Sequence, residues 1–414
     1  MGLMATASEA KSQAEIQHRV TRAASDRAVH EAFAWFRAHE REISDLQLEI
    51  ARIPAPPFGE QARSEWLRQR FVEAGLEDAQ IDELGNVLAI RNGSTAEASV
   101  IALSAHIDTV FPAGTSTASV RRENDRLYGP SISDNASGVV ALLAIARAME
   151  ASQLRTSVPI LFIGNVGEEG EGNLRGMRHI FANRVLRERI SAMLVLDGAG
   201  TDTIVTQALG SRRFEVTVRG PGGHSWSDFG VVNPIVVLAE IIQRFRATSI
   251  PSSPKTTFNV GVISGGTSVN SIPETAMMRV DTRSAVMEQM DRLELALHEA
   301  VNAAVERATA GKNGSADIVS QIRVIGNRPA AELPPDSRLL AVIRAVDAQL
   351  NNPSHIHRAS TDANIPLSCG CDAVAIGTGG TGGGAHTLQE WYDPRGRDLG
   401  LKRILLAVTA LAGL

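Results

Sequence analysis

The chain has 414 residues, 43% apolar and 21% charged, the composition of an ordinary folded protein with room for two domains. Its 41 basic and 46 acidic residues leave a net charge of −5, with no concentrated basic tract, which excludes nucleic acid and anionic membranes as expected partners. Cys369 and Cys371 are too few for a disulfide scaffold, and the run 404–414 is too short to span a bilayer. With no apolar leader in the first residues, the expectation is a cytoplasmic protein with reduced thiols.

Residues 1–26 are polar and rich in Ala and Ser, and read as a frayed start. Helical spacing follows at 27–38 and 43–52, where Ile43, Leu46 and Ile50 share a face before Pro54, Pro56 and Pro57 end it. A helix at 60–74 is expected to bury Trp66, Leu67, Phe71 and Val72, with Gly75 as its stop. Strands at 86–90 and 99–104 come next, then an apolar helix at 136–150. A buried strand at 158–163, a helix at 177–189 and a strand at 192–196 continue the alternation. Strands alternating with helices predict an α/β fold with a mostly parallel central sheet flanked by helices.

The pattern changes after Gln207. Strand 213–219, helix 234–247, strands 256–264 and 276–283, helix 286–309 and strand 318–325 run in β-α-β-β-α-β order. That is the order of a ferredoxin-like α+β unit. It is read as an inserted domain at 208–324, leaving 1–207 and 325–414 as one discontinuous domain. Helix 336–350, strand 373–376, a glycine-rich loop with His386 and a helix near 398–411 complete the chain.

Four candidate ligands, His106, Glu169, Asp197 and His386, each follow an apolar strand. Open α/β sheets bind their ligands in the crevice beyond the carboxyl ends of the strands. Asp134 starts the apolar helix, where exposed N–H groups favour an anion. Imidazole and carboxylate donors suit zinc. Five are one too many for a tetrahedral ion and suit two ions sharing a carboxylate, with Asp134 as the bridge. Glu168 precedes Glu169, so one carboxylate can bind metal while its neighbour handles a proton. His106 and Asp108 lie two apart on an extended segment, which lets Asp108 accept from the ring nitrogen that faces away from metal.

The residues His106-Ile107-Asp108, Gly129-Pro130-Ser131-Ile132-Ser133-Asp134-Asn135, Gly167-Glu168-Glu169-Gly170, Leu196-Asp197-Gly198 and Gly383-Gly384-Ala385-His386-Thr387 together resemble a known family. It is that of the di-zinc metallopeptidases, with peptidase T, the bacterial dipeptidases, glutamate carboxypeptidase and aminoacylase. The resemblance extends from about Glu49 over nearly the whole chain. It implies a zinc-peptidase-like catalytic domain and an inserted lid and dimerisation domain. His106 and Asp197 would hold one zinc and Glu169 and His386 the other, with Asp134 bridging, Asp108 orienting His106 and Glu168 as general base. It also implies a cis peptide at Asp134–Asn135. Aspartate at position 197 leans towards aminopeptidases and dipeptidases rather than carboxypeptidases and acylases, where glutamate is usual.

Gly220-Pro221-Gly222-Gly223-His224-Ser225 is a tight loop after a strand. The resemblance implies that His224 reaches the active site of a partner subunit and stabilises the oxyanion, which implies a homodimer. Asn270 and Arg283 match segments that hold the substrate backbone and carboxylate, and an arginine fork suits a carboxylate. An ion pair of Arg283 with Asp281 or Glu274 is the other reading. The run 377–384 lacks the Gly-Lys-Ser/Thr ending of a phosphate loop, so the backbone around Gly383 is read as lining a peptide beside His386. Glu171, paired with Arg175, together with Glu390 and Asp362, is expected near the metals without binding them. The expected activity is a metal-dependent exopeptidase acting on di- or tripeptides, with two Zn2+ per chain or Mn2+ or Co2+ in their place. The alternatives are an N-acyl-amino-acid deacylase or carboxypeptidase and, from a different class, a peptide-binding scaffold that does not cleave.

Overall fold

The computed structural model describes residues 2–95, 99–310 and 318–414, with the backbone alone described for 2–11. Four apolar strands, Ile160–Asn165, Val100–His106, Ile190–Leu196 and Ala373–Ile376, lie side by side in that order, all parallel. They are buried almost throughout, as strands covered on both faces must be. Antiparallel strands flank them: Val87–Arg91 and then Glu77–Ile81 on one side, Thr203–Ala208 on the other. The sheet is therefore mixed, parallel at its centre. Register pairs His106 with Asn165 and Ile376 with Leu196, so the carboxyl ends of the parallel strands fall on one edge.

Helix Ala136–Ala151 is buried on nearly all sides, as its predominantly apolar sequence requires. Helix Arg397–Ala412 is buried in the same way. Several expectations are corrected. The start of the chain forms helix Gly2–Ala24, with Ile16, Val20 and Ala23 buried at helical spacing. The expected helix at 177–189 is two, Arg175–Ala182 and Arg184–Arg189, because the Asn183 side chain caps the second by accepting from Leu186 N–H. In helix Gln61–Glu73 the buried residues are Arg63, Ser64, Leu67 and Phe71, whereas Val72 is 54% exposed. A small antiparallel sheet escaped the sequence reading. Its strands are Thr381–Gly383, Trp391–Asp393, Arg126–Tyr128 and Arg121–Glu123.

The chain divides into two compact units, one of Met1–Gln207 with Glu332–Leu414 and one of Ala208–Ala331. The second has a four-stranded antiparallel sheet in the order Thr256–Gly265, Thr275–Ser284, Gly210–Arg219, Val319–Arg328. This is the strand order of a ferredoxin-like unit. Alternating Phe214, Val216 and Val218 pack with Leu238, Ile241 and Phe245 of helix Pro234–Arg246 and Leu293 and Leu297 of helix Met287–Ala310. The last strand pairs as far as Arg328 opposite Ser211, which carries this unit on to Ala331. Among the described residues no helix is long and apolar enough to cross a membrane.

Candidate metal centre

His106 and Asp197 lie at the ends of central strands, and Asp134 and Glu169 lie in the loops that follow or precede regular elements. His386 lies in the turn between strands Thr381–Gly383 and Trp391–Asp393 of the small sheet rather than directly after a central strand. His106 is the last residue of its strand and is buried. Its Nε2 lies 3.2 Å from Asp134 Oδ1 and 3.9 Å from Asp197 Oδ1. His386 Nε2 lies 3.1 Å from Asp134 Oδ2 and 3.2 Å from Glu169 Oε1. Three groups of possible ligands result: His106 with Asp134 and Asp197, Asp134 with Glu169 and His386, and His106 with Glu168 and Glu169. The first two share Asp134, one carboxylate oxygen facing each histidine.

Zinc bonds to nitrogen and oxygen of roughly 2.1 Å set the ligands of one tetrahedral ion about 3.4 Å apart. The 3.1 and 3.2 Å separations fit that spacing. Electrostatics points the same way. Burial, then the neighbouring Glu168, pushes Glu169 up to about 8, and burial, then Asp134, pushes Asp197 up to about 7. The Asp134 hydrogen bond raises His386 to about 9. Burial opposes the His106 imidazolium, yet hydrogen bonds to Asp108 and Asp134 hold its pKa well above the ordinary histidine value. Carboxylates crowded together out of water need a cation, and protons supply one only in part. The donor set fits divalent metal.

The backbone around the ligands is tied from behind. Asp108 accepts from Glu168 N–H at 2.9 Å and Glu169 N–H at 2.7 Å, so it holds the glutamate pair in place. Its own carboxylate is 3.5 Å from His106 Nδ1, while its backbone oxygen is nearer, at 3.2 Å. Asn135 caps helix Ala136–Ala151 by accepting from Gly138 N–H, and also accepts from Gly198 N–H and donates to Leu196 O. One side chain therefore joins the Asp134 loop to the Asp197 loop. Gly138 permits this approach, since a Cβ there would lie 2.5 Å from Leu196 O. The Asp134–Asn135 peptide is cis.

A family model described as peptidase family M20/M25/M40 matches residues 102–411. The chain belongs to that family. It is thus a metal-dependent hydrolase of peptide or amide bonds. The acetylornithine deacetylase of Myxococcus xanthus is 26% identical over 342 residues, spanning 80% of this chain and 82% of its own length. Among solved structures, aminopeptidase PepT of Bacillus cereus matches with a TM-score of 0.72 at 17% identity, over 90% of this chain and 99% of its own. A Staphylococcus aureus tripeptidase matches at 0.73 and 19% identity, over 90% and 98%. These structural likenesses show a common fold.

Other residues of this M20 chain stand as follows. Glu390 is fully buried and accepts from the backbone N–H groups of Ser131, Ser133 and Asp134 at 3.0, 2.7 and 2.7 Å. Burial outweighs those donors and lifts its pKa to about 7. Asp362, also fully buried, accepts from Asn165 Nδ2 at 2.6 Å, and burial followed by Glu168 lifts it to about 8. Arg175 forks onto Glu60 at 2.9 and 2.8 Å, where Glu171 was the expected partner. Gly383 lies in strand Thr381–Gly383, and at neighbouring Gly382 a Cβ would meet Ser133 Oγ at 2.4 Å, so only glycine allows this loop against the Asp134 loop.

In the second unit His224 is exposed on the two-residue strand Gly223–His224, which pairs with Ser271–Ile272, and its Nδ1 accepts from Trp226 N–H at 3.2 Å. Asn270 accepts from Ser268 Oγ at 2.5 Å, and Arg283 Nε donates to Asp281 at 2.8 Å. Of the two readings for Arg283, its contact in this structure is the ion pair. The sequence reading passed over Arg63 and Asn165 and did not see the capping role of Asn135. An asparagine directly before an apolar helix is a cap signal, and an arginine at 63 in register with Leu67 and Phe71 is a charge on an apolar stripe.

Proposed function

We propose that this chain is a two-zinc exopeptidase that cleaves di- or tripeptides with a free terminus, with Mn2+ or Co2+ as other ions the same ligands accept. The observation that carries this reading is the pair of ligand groups sharing Asp134. Two-metal hydrolases hold their ions about 3.5–4 Å apart across such a bridge. In this reading His106 and Asp197 hold one ion and Glu169 and His386 the other. Ions bound there supply Lewis acidity, acidifying water and polarising the scissile carbonyl. Glu168 takes the proton from the attacking water and returns it to the leaving amine. Asp108 keeps Glu168 and Glu169 aimed through their N–H groups. His224 of the partner subunit, in a homodimer, donates to the oxyanion. Asn270, Arg283 and the backbone at Gly383 hold the substrate. Free cysteines suit a cytoplasmic setting.

Glu168→Gln is expected to keep its metal, measured by elemental analysis, and to lose at least about 10²-fold in kcat. Turnover near that of the parent would remove Glu168 from its role. A second reading, an N-acyl-amino-acid deacylase, is favoured by the likeness to acetylornithine deacetylase. A cleavage panel of free dipeptides, free tripeptides, N-blocked peptides and N-acetylated amino acids separates the two. Exclusive cleavage of the acetylated amino acids would displace the first reading.

A further inference from the structure

Arg63 sits on the buried stripe of helix Gln61–Glu73 and is 1% exposed. Its guanidinium reaches three separate segments. Nε donates to Ile53 O at 2.8 Å, Nη1 to Ile107 O at 3.0 Å and Nη2 to Ser131 Oγ at 2.9 Å. Ile107 lies between His106 and Asp108, and Ser131 begins the loop that ends in Asp134. Glu390 grips that loop through the N–H groups of Ser131, Ser133 and Asp134.

All three acceptors of Arg63 are uncharged, although burying a cation is costly without a paired anion. Burial lowers its pKa to about 10, and Asp108 and Glu390 oppose that from a distance, so it stays charged at neutral pH. A leucine or methionine would fill an apolar stripe at lower cost. What only the planar fork provides is a fixed spacing between acceptors on different segments.

We propose that Arg63 is a positioning residue of the metal centre, which sets the separation of His106 from Asp134 by gripping Ile107 O and Ser131 Oγ at once. It touches neither substrate nor ions, and acts through the two loops. A lysine at this position keeps the charge but offers one point donor in place of the fork.

The test is calorimetric titration of zinc into metal-free protein, with kcat and KM measured on a cleaved peptide. Arg63→Lys is expected to weaken zinc binding and lower kcat, each about 10–100-fold, with KM within about twofold. The control is Arg403→Lys. Arg403 is equally buried and forks onto Asp347 at 2.6 and 2.8 Å, with no contact to the ligand loops. It is expected to lower the melting temperature and leave zinc affinity intact. If Arg63→Lys does not fold, Ser131→Ala removes one arm of the grip and is expected to weaken zinc binding several-fold. Zinc affinity and kcat within about twofold of the parent in the folded variant, or an equal loss of zinc in Arg403→Lys, would overturn the proposal. The proposal rests on the metal-dependent reading above. Failure of the parent to bind zinc would sink both, whereas a parent that binds zinc beside an unaffected Arg63→Lys sinks this one alone.

Discussion

The candidate metal centre and the inserted unit carry candidate functional residues under opposite conditions. At the strand ends, His106, Glu168 and Glu169 are buried, and the backbone that holds the glutamates is bonded to Asp108. In the inserted unit His224 is exposed and Arg283 half-exposed, each engaged with a partner of its own unit. Pre-organised donors lose nothing when a ligand arrives, whereas groups in local contacts must exchange them. The first region therefore shows its donors already gathered in a single chain, whereas the roles proposed for His224 and Arg283 would require them to give up these local contacts.

The largest expected effect tests the first region. Asp134→Ala removes the oxygens common to both ligand groups, and is expected to empty the site and lower kcat by more than about 10³-fold. Metal content by elemental analysis together with turnover checks it, and a variant that keeps both ions would dissolve the shared-bridge geometry. His224→Ala probes the second region and is expected to lose about 10²–10³-fold in kcat with metal content unchanged. Mixing it with Glu168→Gln is expected to restore part of the activity, since one site of a mixed dimer would be intact. No recovery would place His224 outside the chemistry of a partner.

The smallest effect concerns pH and again separates the regions. In the metal-free protein Asp197, Glu169 and His386 have pKa values raised to about 7, 8 and 9. From the ordinary value of each group up to its raised one the folded chain binds more protons than the unfolded one, so stability falls as pH rises. The melting temperature of the metal-free protein is expected to drop between about pH 5 and 9. Metal replaces those protons, so apparent zinc affinity is expected to rise over the same interval and the loaded protein to lose the downward slope. Calorimetry across that range reads both, and a flat metal-free profile would mean the carboxylates are not crowded as described.

Much of the first unit was legible because its signals are local. An apolar run ending in His106, in Asp197 or before Glu168 and Glu169 carries strand and ligand in one short segment. The parallel order of those strands then puts their ends on one edge. The frayed reading of residues 1–26 failed because alanine and serine diluted the stripe of Ile16, Val20 and Ala23. Val72 was misassigned because an apolar side chain at a helix edge can face water at little cost. The short strands Arg126–Tyr128 and Trp391–Asp393 carry too few residues to show a period.

What the amino-acid sequence determined by itself was which segments carry the candidate ligands, because hydrophobic periodicity and the chemistry of His, Asp and Glu are written locally. What only the tertiary structure decided was how those segments are held. Glu390 binds Ser131 across 259 positions, and Arg63 spans Ile53, Ile107 and Ser131 from one helix. Hydrogen bonds between such distant positions leave no period and no adjacent motif in the chain. They exist only once the sheet, its helices and the glycine-rich loop have packed and excluded water.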